Sequence, residues 1–213
     1  MRPGWLLLAG AVVAVLGLAG AGIWLGQRLV QEPDIPAAVG SPEDDIRGQQ
    51  KIFDIVRGDP FRSGGGSRQV VVTEAELNRF LSRHFIEVAK MSVTGFAVRL
   101  VGEGLLDFKG LLPLSSLLSA SPLAGLVPAT WLERRVWLYM NVRASLEVGA
   151  GRSRRRHLRF DVQHFGIGRQ PLPGILLQLL PSSGLQSLLR WRVPESVEGI
   201  TVESGAVVIK ASS

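Results

Sequence analysis

The hydrophobic pattern of this chain changes period several times, and each change predicts a different element. The longest alternating stretch is RRVWLYMNVRASLEVG. There Val136, Leu138, Met140, Val142, Ala144, Leu146 and Val148 take one phase, and Trp137, Tyr139, Asn141, Arg143, Ser145 and Glu147 the other. Period two with one apolar side predicts a half-buried strand, roughly 40 Å long at about 3.3 Å per residue. After a turn over residues 149–153 the chain returns with Leu158, Phe160 and Val162 inward and His157, Arg159, Asp161 and Gln163 outward. At His164 the apolar phase slips by one, so that Phe165 and Ile167 carry it, and the bracket Gly166 to Gly168 predicts a bulge or sharp bend.

Upstream, VVVTEAELNRFLSRHFIEVAK switches to helical period. Thr73 and Glu76 fit a capping box, and Leu77, Phe80, Leu81, His84, Phe85 and Val88 recur on one side. A hairpin follows about Gly102-Glu103-Gly104, with Phe96, Val98 and Leu100 on one arm and Leu106 and Phe108 on the other. A last hairpin, GITVES then GAVVIKA, turns at Ser204-Gly205. The fold class expected is α+β, with a long, curled antiparallel sheet around one or more helices.

Two leucine-rich stretches belong to neither pattern. Residues 110–132 and 170–189 carry no charge, yet Pro113, Pro122, Pro128, Pro171, Pro173 and Pro181 divide them into pieces too short to span a bilayer. They must cover the apolar face of the sheet. Periodicity alone leaves open whether they pack on it as an ordinary core or stand off it and leave room for an acyl chain.

The N-terminus has no charge from Pro3 to Gln27, enough for a helix to cross a hydrocarbon core of about 30 Å. Trp5 and Trp24 lie roughly 28 Å apart on such a helix, one at each interface. The rival reading is a cleaved signal peptide ending near Ala19-Gly20-Ala21, but the apolar run continues through Ile23, Trp24 and Leu25. Either reading exports the rest. Arg2 before the span and Glu32 and Asp34 after it favour the N-terminus inside. The chain then divides into an anchor over 1–27, a flexible tether over 28–69 with a short helix from Pro42, and an extracytoplasmic domain over 70–213.

Charge and chemistry change this picture little. Residues 68–213 hold 18 of the 24 Lys and Arg but 11 of the 18 Asp and Glu, so the expected domain is the basic part. There is no cysteine, hence no disulfide, thiolate nucleophile or Cys-ligated zinc. His84, His157 and His164 make no ligand set, because the odd separation of the last two places them on opposite strand faces unless a bulge intervenes. No Gly-x-Ser-x-Gly elbow or phosphate loop occurs. Neither an enzyme nor a metal or other cofactor is expected. Arg152, Arg154, Arg155 and Arg156 form a basic hairpin tip that reads either as a solvated turn or as a contact for anionic lipid headgroups or the membrane surface. Nucleic acid is not an expected partner, since an exported hairpin would not meet it and no stacking aromatics interleave the arginines.

The order of these features, an N-terminal span, a TEAELN helix, the FGIGRQPLPGILLQLL stretch and the closing VEGITVESGAVVIK hairpin, resembles the extracytoplasmic YpmS-like family and the LmeA-like phospholipid-binding domains. The matching positions are Thr73, Glu76, Leu77, Asn78, Ile167, Gly168, Pro171, Pro173, Leu177 and Gly205. The resemblance implies a tubular lipid-binding fold with a hydrophobic groove. Its walls would be Leu77, Phe80, Leu81, Phe96, Val98, Leu100, Leu106, Phe108, Val136, Leu138, Met140, Val142, Leu158, Phe160, Val162, Leu176 and Leu177. The uncharged insertion from Gly110 to Leu132 departs from the pattern and reads as a lid or a membrane-dipping flap. The expected function is a single-pass protein of the cytoplasmic membrane that binds a lipid or apolar small molecule in its periplasmic domain, for transfer or envelope maintenance. The alternative is a bitopic scaffold that docks an envelope protein partner.

Overall fold

The computed structural model describes residues 26–36, 40–57, 68–89, 93–118, 125, 127–149, 156–179 and 189–211, with side chains left aside at 56, 57, 68, 84–89 and 177–179. Among these residues the chain is α+β, built on antiparallel sheets. A three-stranded sheet has the order β1 (Arg68–Thr73), β9 (Ala206–Ala211), β8 (Val197–Glu203). A larger sheet runs β2 (Thr94–Gly102), β3 (Leu105–Pro113), β4 (Arg135–Val148), β5 (Arg156–Ile167), β6 (Gln170–Leu172). A further strand, β7 (Arg190–Val193), pairs with the start of β5 on the edge that β6 occupies at its end.

The alternation in β4 and β5 decides which face is buried. Leu106, Val142 and Phe160 point inward with Val98 and Leu100 and form one core with Leu81 and Val202. On β5 the ladder pairs His164 with Asn141 but Val162 with Val142, which leaves Gln163 as the extra residue of a β-bulge. That bulge is the cause of the slip in the apolar phase: beyond it Phe165 and Ile167 still face inward, opposite Met140 and Leu138. Of the two features expected at the glycine bracket, the bulge lies upstream and the sharp bend is there: Gly168, at φ +61°, makes the tight turn into β6. Because the bulge intervenes, His157 and His164 share the outer face, opposite Glu147 and Asn141.

Helix α2 (Glu74–Ala89) lies against the edge strand β2, and the TEAELN sequence explains why. Thr73 and Glu76 close the capping box: the Thr73 N–H donates to Glu76 Oε2 at 2.9 Å and the Glu76 N–H to Thr73 Oγ1 at 3.3 Å. Glu74 Oε2 accepts from the Leu100 N–H at 2.7 Å. Buried Asn78 pairs its whole amide with Val98, accepting from the N–H and donating to the carbonyl, both at 2.6 Å. The edge of the sheet is thereby finished by side chains rather than by another strand. The inward side chains Leu77 and Leu81 follow on the same helix; those of His84, Phe85 and Val88 lie outside the described residues.

The two sheets join at their hairpin turns, where the Gly104 N–H donates to the Val202 carbonyl and the Gly205 N–H to the Leu100 carbonyl. The first turn needs positive φ at Gly102, Glu103 and Gly104, as the sequence Gly-Glu-Gly suggests.

Residues read as a tether carry structure of their own. Helix α1 (Pro42–Arg57) begins with a second capping box, in which the Ser41 N–H and hydroxyl both donate to Asp44 Oδ2. Ile55 is buried and Ile52 half-buried, whereas Ile46 and Phe53 are exposed. Lys51 reaches the carboxylate of buried Glu76 at 2.7 Å and the Val71 carbonyl at 2.8 Å, so α1 is clamped onto the cap of α2. Further upstream, residues 26–36 form a strap on the outer face of the large sheet. The Arg169 N–H donates to the Arg28 carbonyl, and Lys109, buried on that face, pairs with Glu32 at 2.7 Å.

The described residues of the insertion from Gly110 to Leu132 form regular elements. They continue β3 to Pro113 and add helix α3 (Leu114–Leu118), whose Leu117 and Leu118 are buried, and the single turn α4 (Ala129–Leu132). Among the described residues no helix is long and apolar enough to cross a membrane, and all but the last two residues of the stretch read as a span lie outside them.

Candidate functional site

The inner face of β4 organises the apolar interior into a column. At the start of the strand, Val136 packs with Val93, Leu112, Leu117 and Leu118 in a closed cluster that also touches Leu138. At its middle, Met140 and Val142 line a cavity of about 50 Å³ with Phe96, Phe108, Phe160, Leu189 and Trp191. Toward its end, Ala144 lines a second cavity of about 140 Å³. The small side chain of Ala144 stands directly opposite Phe160 on β5, which is where the space opens.

The larger cavity draws on nearly every element. Leu77 and Leu81 come from α2, Leu106 and Phe108 from β3, Leu158 and Phe160 from β5, Trp191 from β7 and Ile52 from α1. Val72, Ile200, Val202, Val207 and Ile209 of the three-stranded sheet close the opposite side. Every lining residue is apolar, and an apolar hole of this volume stays dry; an engineered cavity of about 150 Å³ accepts benzene. Phe108, Phe160 and Trp191 line both cavities and separate them. The Phe108 and Phe160 rings meet edge to face at 6.0 Å, and Phe160 and Trp191 at 5.7 Å, contacts of about 1 kcal/mol each beyond their area.

The residues read as groove walls separate into groups. Leu77, Leu81, Leu106, Phe108, Leu158 and Phe160 line the larger cavity, and Phe96, Met140 and Val142 the smaller. Phe80, Val98, Leu100 and Val162 belong to the same core but line neither space. Val136 and Leu138 sit in the closed cluster. Leu176 is half-buried in the 3₁₀ helix Gly174–Leu179, and the side chain of Leu177 lies outside the described residues.

Of the basic hairpin, Arg152, Arg154 and Arg155 lie outside the described residues. Arg156 is half-buried, and its guanidinium donates to the Val197 carbonyl, joining the two sheets. Nearby Arg159 is held by Glu147 at 2.8 Å and Asp161 at 2.7 Å, and those hydrogen bonds lower the Glu147 pKa and raise that of Arg159.

Sequence reasoning missed Ile52, Val72, Ala144, Ile200, Val202, Val207, Ile209, Leu189 and Trp191. Most belong to segments read as tether or as a separate hairpin. The alternation Arg190-Trp191-Arg192-Val193 is the signal for β7 that went unread. It also missed buried Asp107 on the outer face, which accepts from half-buried Asn141 at 2.6 Å and from Arg99 at 3.0 Å. Beside them burial raises the Tyr139 pKa. Among the described residues no group of three His, Cys, Asp or Glu is placed to hold a metal ion.

Comparison of the chain with protein-family models, with curated proteins and with solved structures found no match in any of the three.

Proposed function

We propose that this chain is a membrane-anchored envelope protein whose extracytoplasmic domain takes up the acyl part of a lipid, in a tubular lipid-binding arrangement like that of the YpmS-like and LmeA-like domains it resembles. The charge-free stretch from Pro3 to Gln27 supplies the anchor. The observation that carries the reading is the all-apolar cavity at Ala144, with the smaller one at Met140 on the other side of the Phe108, Phe160 and Trp191 side chains that line both. An empty hole of about 140 Å³ forgoes about 3 kcal/mol relative to a filled core, so an acyl segment recovers free energy that the side chains do not supply. A longer chain enters when the Phe160 and Trp191 rings part. Catalysis is not part of this function.

One observation favours the second reading, a bitopic scaffold with a filled core: both cavities lie below the roughly 300 Å³ at which ligand pockets begin. Residues 26–213 keep the strap and α1 in place, so this piece suits native mass spectrometry after extraction from lipid-containing cells. The lipid reading requires a lipid adduct that disappears in Ala144→Phe while circular dichroism is unchanged. A parent protein that is always free of lipid supports the scaffold.

A further inference from the structure

The described residues nearest the charge-free stretch and the arginine run stand at opposite ends of β4: Gly26 beside Trp131, which shortly precedes Arg135, and Arg156 opposite Val148. Gly26, the first described residue of the strap, lies against the ring of Trp131, within 3.4 Å of where a side chain on Gly26 would begin. The strap is fixed there, because the Arg28 carbonyl receives the Arg169 N–H and seats against Gly168. Trp131 belongs to α4, whose Ala129 and Thr130 are exposed together with the preceding Pro128. The guanidinium of Arg134 stacks on its ring at 4.7 Å.

An indole with a stacked arginine beside exposed, uncharged residues is the composition of a bilayer interface, where aromatic rings and long cationic side chains sit at headgroup level. The charge-free stretch runs to Gln27, so a spanning helix ends next to Trp131. We infer that α4 and the Pro128–Trp131 turn rest in the interfacial layer of the anchoring membrane, and that β4 carries the apolar column away from it. Arg135 starts β4 beside α4 and Val148 ends it, so Val148 and its partner Arg156 lie about 43 Å farther along at about 3.3 Å per residue. That end of the strand is then presented to the aqueous space and not to the lipids that hold the anchor. This inference rests on the anchor proposed above, and adds which face of the domain the bilayer covers.

The chain contains no cysteine, so single labels need no background mutations. The full chain is reconstituted in phosphatidylglycerol and phosphatidylethanolamine vesicles with a nitroxide at Leu16→Cys, Thr130→Cys or Val148→Cys. Collision rates with oxygen and with a water-soluble nickel chelate then report depth. The inference expects the oxygen-to-nickel ratio at Thr130 to exceed that at Val148 several-fold, with the ratio at Leu16 highest of all. A high ratio at Leu16 with equal, low ratios at Thr130 and Val148 overturns the interfacial face and leaves the anchor standing. A low ratio at Leu16 overturns the anchor and the inference together. Because Thr130 and Val148 are exposed, the labels do not disturb the core.

Discussion

Asn78 is the residue on which the join between helix and sheet edge depends. Its side chain takes both main-chain groups of Val98, and Val98 is fully buried, so Asn78→Ala leaves an N–H and a carbonyl without partners. Each buried group left unpaired costs about 1–3 kcal/mol, and partial relaxation of the edge brings the pair to about 3 kcal/mol. Against a total stability of about 5–15 kcal/mol this is a large loss. At about 2–4 °C per kcal/mol for a chain of this size, the midpoint falls by about 6–12 °C. Asn78→Asp keeps the acceptor for the Val98 N–H but turns a second carboxylate oxygen toward the Val98 carbonyl. It is at least as damaging at neutral pH and improves as the carboxylate protonates. Thermal unfolding followed by circular dichroism, with hydrogen exchange at the Val98 amide, measures both effects. A loss below about 0.5 kcal/mol, the range of ordinary surface substitutions, with unchanged protection at Val98, would refute the edge-capping argument.

Other consequences follow from the same contacts. Lys51→Met removes the cation beside nearly buried Glu76; the lysine is one-third exposed, so the expected loss is about 2 kcal/mol, read as faster hydrogen exchange throughout α1. Hydrogen bonds from the Ser41 backbone and hydroxyl hold the Asp44 pKa below its ordinary 3.8. The cap of α1 is therefore intact above that pH and is lost as pH falls through the lowered value, visible in the same exchange experiment as protection that disappears only in acid. Gly168→Val drives a side chain into the Arg28 carbonyl at a positive φ, so the strap should release and protease cleavage near Arg28 should accelerate while the core keeps its melting point. Ala144→Leu adds three carbons to the larger cavity, at about 0.8 kcal/mol each less about 1 kcal/mol of rotamer entropy. The lipid-free protein should gain about 1.5 kcal/mol in denaturant unfolding, and a loss instead would mean that the space is not there.

How much of this was legible depended on whether a signal was local. The alternation over 136–148, the Thr73–Glu76 box and the Gly-Glu-Gly turn are read from neighbours in sequence, and each forms as its spacing requires. The phase slip at His164 was visible, but its cause was not, since a bulge at Gln163 is defined only by the register against Asn141 and Val142. The role of Ala144 was hidden for a similar reason. A small residue in an alternating strand says nothing until Phe160 is placed across from it. In segment 28–57 the helix from Pro42 was legible from its Ser-Pro-Glu-Asp start, but where it docks was not. Lys51, Gly48 and Ile55 find their partners on α2 and β8 only after the chain has folded back.

The interior of the column can be probed where the protein lives. Cells fed a fatty acid with a diazirine near the end of its chain build it into their phospholipids, and brief illumination followed by peptide mass spectrometry locates the adducts on the full chain. An acyl chain held in the column leaves adducts on inward residues of β3, β4 and β5, at Leu106, Ala144 and Leu158, in addition to those on the anchor. Adducts confined to the anchor and to the surface around Trp131, with none on those three, would contradict that occupancy.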